Sequence, residues 1–173
     1  FTGAARASGL IGPTDIFNPF ADENSFLLAA YLFEDVGVTA YKGAAPLITN
    51  AAYLEAAAGL LAAEAYHAGL VRTVLYAKGV QDLVDAADAI SGARDSLDGS
   101  TDIDQGLSAR MVNLNGATLS SSNIVPLDDN GLAYSRNPGQ VLNIVYLNPG
   151  EVTGGGFFPS GVNGDVKTSA KSA

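Results

Sequence analysis

The sequence predicts an all-α protein in which two long helices form an antiparallel hairpin and a third helix packs beside them. Alanine, the strongest helix former, is concentrated between Ala40 and Ala93. The connection Pro46–Asn50 between the two long helical segments is so short that it makes them antiparallel neighbours. After Gly99 the chain becomes rich in Gly, Asn, Ser and Asp, which predicts an irregular extension packed on the helices.

Start and stop signals bound four predicted helices. Asp22, Asn50 and Asn137 each precede a helical segment and can cap its first turn with a side-chain oxygen. Pro46 ends the first long helix, and Gly79 suits the left-handed position that follows the second. In chain order, the predicted helices cover residues 23–45, 51–78, 80–97 and 138–146.

The chain divides into three predicted parts. Residues 1–20, which contain three glycines and two prolines, are expected to be an irregular lead-in. Residues 21–97 form the helical region. Residues 98–173 form the extension, which is expected to pack on the same core, with short strands around Met111–Leu114 and Ile124–Leu127.

Composition excludes several classes of function. Among 173 residues, 18 are acidic and 9 are basic, so the net charge of −9 disfavours nucleic acid and anionic membranes as partners. The absence of Cys excludes disulfides, thiolate nucleophiles and zinc–thiolate sites. The sequence predicts neither a transmembrane helix nor a signal peptide. Because it opens at Phe1 rather than Met, we expect a processed chain or part of a longer polypeptide.

Both long helices carry ionisable residues within their predicted apolar stripes. Glu34 lies near the middle of the first helix, and Glu64 and His67 lie near the middle of the second, so an antiparallel hairpin brings them to one level. A buried carboxylate is costly unless it is paired or bound to metal. The stripes read Leu27, Ala30 or Tyr31, Glu34, Val38, Tyr41 and Ala45 on the first helix, and Leu60, Glu64, His67, Val71 and Val74 on the second.

These residue types point to a metal site. A helix that supplies Glu, followed by a helix that supplies Glu-x-x-His, is half of the carboxylate-bridged di-metal arrangement of ferritin-like bundles. Carboxylates with one imidazole suit iron or manganese. We predict Glu34, Glu64 and His67 as metal ligands, with Tyr41 beside them. The alternative is that Glu64 and His67 satisfy each other, or a tyrosine hydroxyl, within an inert core.

A second group of acidic residues follows the third helix. Asp98, Asp102 and Asp104 lie in a loop rich in Gly and Ser, but their spacing differs from that of an EF-hand. We therefore expect a solvated acidic loop rather than a calcium site. Four aspartates of the third helix are also expected to face water: Asp82, Asp85, Asp88 and Asp95.

The C-terminal half resembles a known family. Leu132–Pro138, Val141–Tyr146 and Gly154–Gly164 resemble the desiccation-related proteins of plants, green algae and bacteria, which are ferritin-like proteins with such an extension. Residues 23–79 resemble the second hairpin of a ferritin-like domain, which implies a preceding hairpin that supplies the other Glu and Glu-x-x-His. Ferritin-like proteins often place Asp where this chain has Ala63, and losing such a partner of the imidazole lowers metal affinity by about 10–100-fold.

We consider three functions, of which the resemblance implies the first. The first hypothesis, which we favour, is a desiccation- or stress-related protein with a structural or protective role and no enzymatic activity, located outside the cell or in a secretory compartment. The second is a di-iron or di-manganese protein that handles peroxide or oxygen. The third is a self-assembling extracellular polymer subunit.

Two amphipathic helices cannot bury both of their apolar faces alone, and each Å² left exposed costs about 25 cal/mol. An N-terminal fragment of the same precursor can cover them. A second copy about a two-fold axis can also do so, and it would bring two copies of each predicted ligand together as a complete di-metal set. Contacts that do not close would instead give a filament.

Overall fold

The computed structural model describes residues 1–172. Over these residues the chain forms five α-helices and one two-stranded antiparallel sheet, which confirms the predicted all-α class. Within the same range, no helix combines the length and the apolarity that a bilayer span requires. The helices are α1 (Thr2–Ala7), α2 (Glu23–Ala44), α3 (Ala51–Ala77), α4 (Gln81–Asp98) and α5 (Pro138–Tyr146), and the strands are β1 (Arg110–Leu114) and β2 (Ala117–Ser121).

The predicted capping residues begin the helices. Asp22 Oδ1 accepts a hydrogen bond from the amide of Ser25 at 2.9 Å. Asn50 Oδ1 accepts in the same way from the amides of Ala52 and Tyr53 in the first turn of α3. Asn137 and Gln140 form a reciprocal capping box at the start of α5. Local sequence therefore fixes where these three helices begin, within the accuracy with which helix ends are defined.

Helices α2 and α3 form the predicted antiparallel hairpin, joined by a single 3₁₀ turn at Ala45–Leu47. Pairs of residues that lie progressively further from this turn face each other, as antiparallel packing requires. In order from the turn, these pairs are Gly37 with Glu64, Glu34 with His67, and Glu23 with Lys78.

The core lies on the side of the hairpin that α1, α4 and the extension cover. Tyr31 of α2 and Leu75 of α3 are almost fully buried there, together with Ala87 and Ile90 of α4. Leu107, from the loop after α4, is also fully buried in this cluster. Leu107 therefore joins the extension to the hydrophobic core.

The lead-in differs from the prediction, because residues 1–20 are not irregular throughout. Thr2–Ala7 form α1, and two of its alanines are buried. The ring of Phe1 packs edge-on against Phe33 of α2 and Phe157 of the extension, with centroids 5.6 and 5.5 Å away. Long-range packing of this kind stabilises a helix too short to form alone.

The second predicted strand was placed wrongly. Residues 124–127 are not a strand, and the partner of β1 is Ala117–Ser121. Asn115 and Gly116 both adopt positive φ, at 52° and 86°, as a two-residue hairpin turn requires. The Asn-Gly turn thus determines that β1 pairs with β2, and the apolar composition of residues 124–127 does not make that segment a strand.

Arg72 of α3 anchors the extension to the hairpin. Its guanidinium is fully buried and forms an ion pair with Asp35 of α2 at 2.7 Å. The same guanidinium donates hydrogen bonds to three carbonyl oxygens on both sides of the β-hairpin, those of Gln105, Gly106 and Asn123. Because Asp35 and these carbonyls take most of its donors, one side chain holds three segments together.

Two further buried arginines, Arg94 and Arg136, continue this network. Arg94 pairs with Asp35 at 3.1 Å and with Asp104 at 2.7 Å, and Arg136 pairs with Asp98 at 2.6 Å and also with Asp104. The expectation that Asp98 and Asp104 belong to a solvated acidic loop is therefore wrong. Both are buried, because guanidinium groups brought from α4 and from the segment before α5 neutralise them.

Candidate metal centre

The three predicted ligands converge at the middle of the hairpin. His67 Nδ1 lies 3.2 Å from Glu34 Oε2, and the Glu64 carboxyl lies against that of Glu34. Burial raises the pKa of Glu64, and the neighbouring Glu34 carboxyl raises it further through a hydrogen bond and like charge. The two neighbouring carboxylates therefore repel each other, and a bound cation would offset this repulsion.

Gly37 provides the room for this arrangement. It lies one turn after Glu34, on the side of α2 that faces α3. A Cβ atom at this position would overlap the Glu64 carboxylate. The absence of a side chain at Gly37 thus lets the Glu64 carboxylate come close to the backbone of α2.

The centre lies at an open edge, whereas the sequence predicted a buried stripe. The side chain of His67 is 60% exposed and that of Glu34 is 24% exposed. Leu60 and Leu70, on the same side of α3 as His67, are also exposed. The residues that α3 does bury form a neighbouring stripe that faces α2 and the core, namely Ala57, Ala68, Val71, Arg72 and Leu75.

Tyr41 lies two turns after Glu34 on α2 and is half-buried. Among the hydrogen bonds of residues 1–172, none joins its hydroxyl to Glu34, Glu64 or His67. Its position beside the metal ligands stays a prediction.

The donor set fits half of a di-metal centre. It offers two carboxylates and one imidazole nitrogen, which are the ligand types that iron and manganese take in carboxylate-bridged sites. Glu34 lies 3.2 Å from His67, and Glu64 approaches α2 at Gly37, so the three donors share one level of the hairpin, although their ligand atoms do not all lie within 4.8 Å of one another. A complete centre needs further ligands from outside this hairpin.

A second group of carboxylates lies elsewhere, and it combines Asp98 and Asp104 of the predicted acidic loop with Asp95 of α4. Oxygens of Asp95, Asp98 and Asp104 lie within 4.8 Å of one another. Asp95 was expected to face water, but it is half-buried against this group. Arg94 and Arg136 already contact both oxygens of Asp104 and one of Asp98, so this group is poorly suited to a metal ion.

Comparisons with known proteins agree with the architecture. Residues 7–77 match the family model of the ferritin-like domain. The chain is 29% identical over 158 residues to the ferritin-like catalase Nec2 of Nesocodon mauritianus, an alignment that covers 87% of this chain and 50% of that protein. It is 31% identical over 133 residues to the desiccation-related protein PCC13-62 of Craterostigma plantagineum, covering 73% and 42%.

The chain spans about half the length, or less, of these two relatives. No solved structure matches it significantly. The domain match covers α2 and α3, which carry the candidate ligands, and the alignments to the relatives extend over most of the chain. The chain thus belongs to a desiccation-related, ferritin-like family of proteins.

Proposed function

We propose that this chain is the metal-ligating half of a ferritin-like stress protein, and that Glu34, Glu64 and His67 bind iron or manganese once a second helical hairpin covers them. The observation that carries the proposal is the convergence of these three side chains at one level of α2 and α3.

Each residue has a distinct part in the proposed centre. Glu34 and Glu64 supply carboxylate oxygens, and His67 supplies Nδ1, which donates to or accepts from Glu34 when no metal is present. Burial and the neighbouring Glu34 carboxyl raise the pKa of Glu64, so its charged form is disfavoured, and a bound cation would offset that cost. The bound metal pair would supply redox chemistry towards peroxide, for which the name of the catalase relative is the support.

The covering hairpin must meet an apolar surface. Leu60 and Leu70 are 49% and 63% exposed, and Tyr66 between them is 77% exposed. Surfaces of this kind mark sites of contact with other polypeptide. We propose that the occupant is an N-terminal hairpin from the same precursor, because the relatives extend well beyond the part that this chain matches. A second copy of the chain is the alternative.

Titration of the purified protein with Mn²⁺ and Fe²⁺, followed by calorimetry, tests the metal proposal. We expect saturable binding that His67→Ala weakens by at least about 10-fold. Glu55→Gln, which changes an exposed acid on the same helix, is the matched control and should bind as the wild type does. Equal binding by the wild type and His67→Ala would refute the assignment of ligands.

The second candidate is a structural or protective role through self-assembly. The observation that favours it is the β-hairpin, whose residues are all exposed and whose Val112, Leu114 and Leu119 share one apolar face. Sedimentation of metal-free protein distinguishes the candidates. Growth into polymers without metal favours assembly as the function, and a closed species of fixed size favours the metal centre. Location outside the cell stays a prediction.

A further inference from the structure

The buried ion network is balanced except for one carboxylate. Three arginines and three aspartates alternate through the junction between the helices and the extension, so their charges cancel. Asp95 adds a fourth carboxylate, next to Asp98 and Asp104, without an ion pair to an arginine among residues 1–172. The order of the balanced groups is Arg72, Asp35, Arg94, Asp104, Arg136 and Asp98.

Two oxygen atoms of this cluster lack a partner. The Oδ1 atoms of Asp95 and Asp98 are both buried, and neither has a hydrogen-bond partner within residues 1–172. Asp98 is 3% exposed overall, so water does not compensate for the missing donor. A proton on one carboxyl converts it to a donor. Because the carboxylate oxygens lie within 4.8 Å, a small rotation brings this donor to the other acid.

The groups that face Asp98 come from every neighbouring element. Asp95 lies on its own helix, and Asp104 lies on the loop that follows. Asp102 of the same loop acts on Asp95, and Arg94 pairs with Asp104. Arg136, which precedes α5, donates to Asp98 Oδ2, and it also contacts Thr39 of α2. On α5, Gln140 donates to the backbone carbonyl of Asp98. The acid therefore lies where α2, α4 and α5 meet.

A metal ion fits this cluster less well than a proton does. Both oxygens of Asp104 and one of Asp98 already form ion pairs with guanidinium groups that a cation would repel. A proton cancels the surplus charge and leaves those ion pairs in place. We propose that the cluster of Asp95, Asp98 and Asp104 binds one proton. This proton stabilises the packing of the extension against α4, so that the junction is most stable in mild acid.

The titration of these groups agrees with the geometry. Burial raises the pKa of Asp98 to about 6, against the opposing effect of Arg136. Burial and the charge of Asp104 also raise the pKa of Asp95. A raised pKa means that the folded chain holds more protons than the unfolded chain between the ordinary value of 3.8 and about 6. Stability conferred by this proton is thus lost as the pH rises through that interval.

The test compares thermal unfolding of the full chain with that of Asp98→Asn between about pH 4.5 and about pH 8. Asparagine keeps an oxygen for Arg136 and adds an amide that can donate to Asp95, so it imitates the protonated acid. We expect the wild-type Tm to fall by about 3–6 °C as the pH rises across this range. The Tm of Asp98→Asn should change much less. Asp129→Asn, which changes an exposed acid outside the cluster, is the control and should keep the wild-type slope.

A second measurement does not depend on the variant's folding. Carbon NMR of the wild-type carboxyl groups should show one aspartate that titrates close to pH 6 and is missing from the spectra of Asp98→Asn. The proposal is overturned if all aspartates titrate near their ordinary value. It is also overturned if Ca²⁺ or Mn²⁺ raises the Tm of the wild type and not of Asp98→Asn, because the cluster would then hold a metal.

Discussion

His67 Nδ1 lies 3.2 Å from Oε2 of Glu34, although 33 positions separate the two residues in the chain. The contact crosses the interface between α2 and α3 at the level where Glu64 enters it. It shows that the hairpin alone assembles three ligand-type side chains. Under the proposed function, the exposed Leu60, Tyr66 and Leu70 mark the side of the hairpin that a covering hairpin would occupy.

Gly37→Ala should weaken metal binding without unfolding the protein. The added Cβ would displace the Glu64 carboxylate, so we expect affinity for Mn²⁺ to fall by about 10–100-fold. Alanine favours the helix over glycine by about 0.5–1 kcal/mol, so the Tm should not collapse. Calorimetry and thermal unfolding give the two readouts. The control is Gly59→Ala on α3, where a Cβ meets nothing within 4 Å, and which should bind metal normally.

Glu64→Gln should stabilise the metal-free protein while it impairs metal binding. The pKa of Glu64 is raised, so ionisation of this group opposes folding as the pH rises through its folded value. Removing the charge should raise the Tm at neutral pH by about 1–3 °C, a small shift because the site is partly exposed. The gain should shrink in acid. A lower Tm in the variant at neutral pH would contradict the proposed repulsion between Glu34 and Glu64.

Arg72→Met should destabilise the protein strongly. It leaves Asp35 without one of its two guanidinium partners and removes one donor from each of three carbonyl groups, and breaking a buried pair in this way costs about 3–5 kcal/mol. Denaturant unfolding measures the loss. The matched control is Lys78→Met, which removes a more exposed ion pair with Glu23 and should cost at most about 1 kcal/mol. Similar losses in both variants would show that the network does not hold the extension.

Asn143→Leu should release the C-terminal tail. The amide of Asn143 is fully buried and donates to the carbonyl oxygens of Asn148 and Ala170, and its own oxygen accepts from Ser172. Leucine removes all of these bonds, at a cost of about 1–3 kcal/mol. Limited trypsin digestion followed by mass spectrometry should show faster cleavage after Lys167 in the variant. Unchanged cleavage would mean that other contacts hold the tail.

The sequence predicted those features that depend on local chemistry. The caps at Asp22, Asn50 and Asn137 act over a few residues, so their side chains alone identify the helix starts. The meeting of Glu34 with Glu64 and His67 followed from helix periodicity and one short loop. These two rules sufficed to bring the candidate ligands together.

Features that depend on distant pairing were not predictable in the same way. Arg72, Arg94 and Arg136 are usually surface residue types, and their partners lie tens of residues away. The one available signal was that Arg72 falls between Ala68 and Leu75 on the buried stripe of α3. The predicted burial of Leu60 and His67 assumed a covering hairpin, and without one this side of α3 is exposed.

Native mass spectrometry of the purified protein, with and without added Mn²⁺ or Fe²⁺, tests whether α2 and α3 form half of a metal centre that further polypeptide completes. It reports in one spectrum the bound metal and the polypeptide that covers α2 and α3. We expect metal in a species heavier than the 17.6 kDa monomer, formed with a second hairpin or a second copy. The bound metal should be lost in His67→Ala. A metal-free monomer at saturating metal, or metal retained equally by His67→Ala, would contradict it.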